Sequence, residues 1–401
     1  MALVVVSLAV AYPRGMAYWH GRRADDAVRA EDFEVARAHL ALVLRIRPDH
    51  RPSLLKLASI ARRDNDLIAA HKYLAKARAA GGTDDEVRLE ELLVAVQEYG
   101  WRGNDGPLLD RLQRAPTEAA RIHEVLANAY YRDYLFGPAL LQAESWCADE
   151  PWSGRGWQLT GVLRSRMGNR NGAIEAYVKA VECNPDLPGV QTGYATTLFR
   201  TGRPAEALHH FDKALELNPW DREARIGRVR SLLQLDRVAE ARDGARRLAI
   251  DFPNDTEVAG LAGRAELLAG DAGAAEPLLR LATSQTADWV MLHDLQQCLV
   301  RLGKRDEARA LEPRVAQLRA DLDRMDKLTG LIQESADPAP RLEAGRIMIR
   351  NGRKREGLAW LYEALRCAAD YKPAHAALAD YFEESGHPEA AAYHRRQAVG
   401  P

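Results

Sequence analysis

Cysteine is scarce in this chain of 401 residues, and Cys147, Cys183, Cys298 and Cys367 are far apart with no CxxC among them. That spacing argues against a disulfide framework and against a thiolate-ligated zinc site. Aromatic residues make up 7% of the chain and β-branched runs are sparse after the first ten residues, so nothing predicts a sheet. Net charge is -1, which leaves no global basic field of the kind that drives sequence-independent nucleic-acid binding; no nucleic-acid partner is expected. Long apolar runs are missing too, apart from MALVVVSLAVAY at the start, whose twelve residues are too few to span a bilayer. Ala9-Val10-Ala11 resembles the small-x-small end of a secretory signal, although no Lys or Arg precedes it. Residues 1–16 therefore read as an N-terminal apolar segment, a signal remnant or a short anchor, with a helix packed on the first folded unit as the alternative. This start favours membrane association or export slightly over the cytoplasm.

Catalytic signatures are equally lacking. No GxxxxGKS/T, strand-borne GxGxxG, HExxH, GxSxG or EF-hand loop occurs, so neither an enzyme nor a cofactor is expected. Acidic doublets such as Asp84-Asp85, Glu90-Glu91 and Glu383-Glu384 read as solvated helix faces or caps. His209 and His210 are adjacent and point about 100° apart on a helix, while His387 and His394 are seven residues apart. No pair has the four-residue spacing that puts two imidazoles on one metal, so no metal site is expected.

What the chain does have is a period. Ala36, Ala70, Ala139, Ala173, Ala207, Ala241, Ala275 and Ala308 recur at 34 residues or close multiples, and Pro116, Pro151, Pro185, Pro219 and Pro253 recur in the same phase. Ala, Leu, Arg and Glu dominate between these marks, which predicts helix throughout. The clearest copies are WQLTGVLRSRMGNRNGAIEAYVKAVECNP from Trp157 and QTGYATTLFRTGRPAEALHHFDKALELNP from Gln191. Within a copy, positions 4, 7, 8 and 11 share one face of a first helix, and positions 20, 24 and 27 share one face of a second. Small residues at 8 and 20 let the two helices approach, and large residues at 4, 11 and 24 fill the space between them. Gly near 15 ends the first helix and Pro at 32 stops the second. Arg164 and Gln191 depart from this pattern and are expected to weaken packing locally.

This pattern resembles the tetratricopeptide repeat, carried by Trp157, Gly161, Gly168, Ala173, Tyr177, Ala180 and Pro185, then by Ala195, Leu198, Gly202, Ala207, Phe211, Ala214 and Pro219. The resemblance implies an all-α, right-handed α-α superhelix of about eleven helix-turn-helix units, starting at residues 17, 51, 85, 120, 154, 188, 222, 256, 289, 338 and 372. The predicted organisation is thus nine units over 17–322, a helical insertion at 323–337, and two units with a C-terminal cap over 338–401. In the unit from Asp85, GWRGNDGP replaces the turn, which predicts a short second helix and a bend. Leu311, Val315, Leu318, Leu322 and Met325 extend the ninth unit as an amphipathic rod, kinked near Pro313. The rod is expected to fold on its neighbours, with a dimer seam through 305–335 as the alternative to a monomer. His394, Arg395 and Arg396 read as a solvated cap, and Trp152, Trp220 and Trp289 as packing at unit junctions.

The resemblance further implies a non-catalytic scaffold that binds a protein or peptide in a concave groove lined by first helices. Position 13, which faces that groove in the family, is Arg132, Arg166 and Arg200; the charge moves to position 9 as Arg230 and Arg264 and returns to 13 as Arg301. None of the six has Asp or Glu three or four residues away, so none is neutralised within its own helix. The expected site is this arginine row with Asn128, Gln158 and Thr196 for peptide-backbone hydrogen bonds, and the expected partner is acidic or phosphorylated. The alternative is a membrane-tethered accessory module of a cell-envelope assembly, secretion or polysaccharide machine.

Overall fold

The computed structural model describes residues 2–81, 85–284 and 289–399, with the backbone alone for residues 2–14. The described residues form α-helices, one 3-10 turn at Pro116–Glu118, and no strand. By contacts the chain divides into an N-terminal part, Met1–Ser231, and a C-terminal part, Leu232–Pro401.

In the N-terminal part six helix pairs follow one another: α1 (Ala2–Arg29) with α2 (Phe33–Ile46), α3 (Arg51–Arg63) with α4 (Leu67–Ala79), and α5 (Asp85–Tyr99) with α6 (Asp105–Arg114). They continue as α7 (Ala119–Arg132) with α8 (Phe136–Asp149), α9 (Gly154–Arg166) with α10 (Arg170–Cys183), and α11 (Val190–Arg200) with α12 (Pro204–Leu217). Helix α13 (Arg222–Gln234) runs across the division. The C-terminal part then holds α14 (Val238–Asp251), α15 (Thr256–Leu268), α16 (Ala272–Ala282), α17 (Trp289–Arg301) and α18 (Arg305–Glu334). It ends on α19 (Pro338–Arg350), α20 (Lys354–Cys367), α21 (Lys372–Glu384) and α22 (Pro388–Val399).

The hairpin turn has one recurring device. Its position 15 adopts a left-handed backbone at Gly168, Gly202, Gly270, Gly303, Gly352 and Gly386, where a Cβ would be penalised. Four hairpins place Glu31, Asn65, Tyr134 or Asp236 there instead. The residue that follows starts the second helix, and as Asp32, Asp66, Asn169 or Asp271 its side chain accepts an N–H of the first turn. Where the cap is Arg203, Arg237 or Arg353, its guanidinium pairs with the Glu three residues on.

Packing follows the small-to-large rule. The buried ring of Tyr177 leaves no room at Gly161, where a Cβ would lie 3.0 Å from it, nor at Gly193 of the next hairpin, at 2.7 Å from its hydroxyl. At Gly227 a Cβ would fall 2.1 Å from the buried Phe211 ring. Tyr177 thus touches both its own first helix and the next, and Phe211 likewise packs against the next first helix.

Several expectations need correcting. Gln191 is not a packing defect: it is 3% exposed, and its Oε1 lies 2.8 Å from His210 Nδ1. The same two positions carry His20 with His39 at 2.9 Å, His123 with Gln142 at 2.6 Å, and His375 with His394 at 2.9 Å. A polar bridge thereby replaces an apolar filler between the two helices of four hairpins. His394 is consequently buried against His375 and Phe382 rather than part of a solvated cap. Arg164 lays its guanidinium on Glu144 at 2.8 Å and on the Gly172 carbonyl at 3.1 Å. Trp220 is 73% exposed and fills no junction.

Residue 16 lies within α1, and the segment 323–334 is the continuous second half of α18, which runs through Pro313. That half packs on its own chain: Leu328 meets Ala344 and Ile347 of α19, and Asp321 accepts from Arg350 and, at 2.9 Å, from Asn351. The unit from Asp85 does end in a second helix of only ten residues. The reading of residues 1–12 as a signal or anchor lies outside the described side chains. Among the described residues no helix is long and apolar enough to cross a membrane.

Candidate functional site

The first helices of the second to fifth hairpins converge on a cavity of about 520 Å³ in the N-terminal part. Its wall carries Arg62 and Arg63 from α3, Gln97 from α5, Glu124, Asn128 and Arg132 from α7, and Arg155 and Gln158 from α9. Four guanidinium groups therefore face one carboxylate across a partly apolar floor that includes Trp146 and Leu159.

An unusually buried charge network supports this wall. Arg62 is 1% exposed, with its Nη2 3.4 Å from Glu124 and its Nε 3.7 Å from Glu90. That Nε has no hydrogen-bond partner among the described residues. Arg63 reaches Glu124 at 2.8 Å, and Arg121 holds Glu90 at 2.8 Å. Burial pushes the Glu124 pKa up, but Arg63 and Arg62 outweigh it, so the carboxyl sits below its ordinary value. The network joins α3, α5 and α7, three successive first helices, through ions that are worth keeping only while all partners are present.

Of the residues expected at the site, Asn128, Arg132 and Gln158 line this cavity. Asn128 donates to the Glu124 carbonyl in its own helix, and Gln158 donates to the Pro188 carbonyl at 3.0 Å, so both amides are already engaged. Thr196 is half-buried on α11. The arginine row is not uniformly unpaired. Arg132 donates to the Gln97 and Val96 carbonyls at 2.7 and 3.2 Å, and Arg301 to the Leu267 carbonyl at 2.6 Å. Each guanidinium thus covers the open C-terminal end of the preceding first helix, where the helix dipole favours a cation. Arg264 lies 3.9 Å from Asp294, and Arg230 is partnered as well. Searching three and four residues along the same helix missed these partners because they come from neighbouring hairpins about 34 residues away.

Arg166 and Arg200 are exposed, and no hydrogen bond or ion pair to either is present among the described residues. The Arg200 pKa is lowered, first by desolvation and then by repulsion from Arg166 and Arg230. Within the N-terminal part these three cations therefore reinforce one another's field. Arg62, Arg63, Arg155 and Glu124 were not expected at a site, since no short motif marks residues that meet from 61 to 92 positions apart. The cysteines are free, and burial raises the Cys147 thiol to about 11, which makes it inert. No group of three or more potential metal ligands occurs among the described residues.

Comparison with known proteins bears on what this arrangement is. Family models described as tetratricopeptide repeat match residues 160–221 and 198–265. Over 139 residues the chain is 32% identical to the cytochrome c-type biogenesis protein CycH of Rhizobium meliloti, covering 33% of this chain. The chain spans only 36% of that relative's length. Among solved structures it is similar to PilW, a widely conserved type IV pilus biogenesis factor, at 22% identity and a TM-score of 0.44, covering 51% of this chain and 94% of that one. It is also similar to YrrB, a TPR protein with an unusual peptide-binding site, at 18% identity and a TM-score of 0.42, covering 47% and 97%. Residues 160–265 are thus tetratricopeptide repeats, and helical hairpins of the same phase precede and follow them.

Proposed function

We propose that the protein is a non-catalytic adaptor that binds an acidic segment of a partner protein along the first helices of its N-terminal part. The observation that carries this reading is the exposed pair Arg166 and Arg200, which no hydrogen bond or ion pair engages among the described residues, in the same part as the cavity walled by Arg62, Arg63, Arg132 and Arg155. Arg166 and Arg200 extend the positive surface along α9 and α11, and planar guanidinium groups bind carboxylates through two parallel hydrogen bonds. Such a surface recruits acidic chains by long-range attraction that falls with ionic strength.

The test is simultaneous reversal of Arg166, Arg200 and Arg230 to Glu, with helicity and thermal melting checked. Fluorescence anisotropy of a labelled hexaglutamate peptide should show roughly tenfold or greater loss of affinity and a steep salt dependence in the parent protein. Unchanged binding in the triple variant, or binding insensitive to salt, refutes the arginine surface.

A second reading is favoured by the similarity to CycH: an accessory role in the biogenesis of c-type cytochromes at the cell envelope. A deletion strain with a normal complement of haem-stained c-type cytochromes would dismiss it.

A further inference from the structure

The first hairpin reaches back to the fifth, a contact made across more than 120 residues of chain. Glu31, at the α1–α2 turn, is 9% exposed, and its carboxylate lies at the N-terminus of α9. Ser153 Oγ donates to it at 2.9 Å, and the Arg155 backbone N–H donates to its two oxygens at 3.2 and 3.3 Å. Asn184 Nδ2 donates to the Ala30 carbonyl at 3.3 Å, and the Arg155 guanidinium lies 4.7 Å from the Phe33 ring centroid. Gly154 makes the approach possible, since a Cβ there would stand 3.1 Å from Glu31 Oε2.

Two features indicate that this contact is built for more than the turn. The Arg155 N–H belongs to the first turn of α9 and has no acceptor in its own helix, so Glu31 takes a donor that the Ser153 cap, which holds Gly156, leaves open. Moreover Glu31 occupies the left-handed turn position at φ 57°, which six other hairpins give to glycine. Asn65, Tyr134 and Asp236 hold the same conformation in their own hairpins, so the turn tolerates several side chains and does not by itself call for a glutamate. What sets Glu31 apart is its buried carboxylate, engaged by Ser153 and the Arg155 N–H more than 120 residues along the chain.

We infer that Glu31 is an internal latch: the chain's own carboxylate, bound at α9 beside Arg63 and Arg155, holds the first hairpin over the binding surface and competes with an acidic partner for it. Both arginines line the cavity, and Arg155 also bonds the Arg63 carbonyl at 3.5 Å, so the Glu31 contact adjoins the cavity wall. This inference rests on the acidic-partner reading for the ligand, while the latch itself is read without any ligand.

The decisive variant is Glu31→Gly, which removes the carboxylate and relaxes the turn, so the hairpin should fold at least as well. Glu31→Gln, which keeps an acceptor for Ser153 and for the Arg155 amide, serves as the control. Amide hydrogen exchange on the full chain should show the Arg155 N–H exchanging roughly tenfold faster in Glu31→Gly and close to the parent rate in Glu31→Gln. Hexaglutamate affinity should rise by about threefold or more in Glu31→Gly, because a larger fraction of molecules is open to it. Unchanged exchange at Arg155 overturns the latch. Faster exchange with unchanged hexaglutamate affinity overturns the competition, leaving a merely structural tie. Hexaglutamate binding to neither protein, with exchange accelerated, overturns the acidic-partner reading and the competition with it.

Discussion

Replacing Glu124 by Gln is the most informative perturbation of the wall, because it keeps the shape and removes one charge. In the native protein Glu124 is 5% exposed and serves both Arg62 and Arg63. After the change Arg62, which is almost wholly inaccessible to water, keeps only Glu90 at 3.7 Å, and Glu90 is already engaged by Arg121. Breaking a buried pair by removing one partner strands the other charge, and such losses run to about 3–5 kcal/mol. For a part of 231 residues, where 1 kcal/mol moves the melting temperature by about 2–4 °C, the midpoint should fall by roughly 6–20 °C. Differential scanning calorimetry reads this directly, with hydrogen exchange across α3 and α7 assigning the change to the N-terminal part. The pH dependence has a definite sign. The folded pKa of Glu124 lies below its unfolded value near 4.5, so its contribution is complete above that value and is lost as pH falls through the folded pKa. The variant should therefore show a shallower loss of stability on acidification. A midpoint lowered by less than about 2 °C would refute the view that this network carries the wall.

Three further outcomes are expected from the packing. Gly227→Ala should destabilise the N-terminal part by about 1–3 kcal/mol in urea unfolding, since the new methyl must displace the buried Phe211 ring; a neutral result would mean that the ring has room to move. His210 has its pKa lowered to about 4, first by burial and then by His209 and Lys213. Its folded value lies below the unfolded 6.5, so stability is lost as pH falls between those two values, and His210→Gln should flatten that part of a melting profile. In the C-terminal part Asp321→Ala should cost about 1–3 kcal/mol and increase proteolysis within α18, because Arg350, Asn351 and Gln317 all lose the acceptor that ties α18 to α19.

The sequence by itself was sufficient for the class of fold and the phase of the hairpins. Both rest on local rules repeated many times: small residues where helices touch, a periodic apolar face on each helix, and a left-handed turn at position 15. Repetition made these rules readable, since each hairpin restates the same periodicity. Even so, the pairing of Gln191 with His210 escaped notice, because two departures nineteen residues apart look like defects until helix packing sets them side by side. The arginine row shows the same limit. Its period was visible in the chain, whereas the carbonyls that take Arg132 and Arg301 belong to the preceding hairpin. Only the tertiary structure brought Arg62, Arg63, Glu90 and Glu124 into one buried network and set Glu31 on the end of α9. Short-range propensity has no term for contacts separated by 61 or 124 residues; they arise from the accumulated geometry of stacked hairpins, to which every intervening turn contributes.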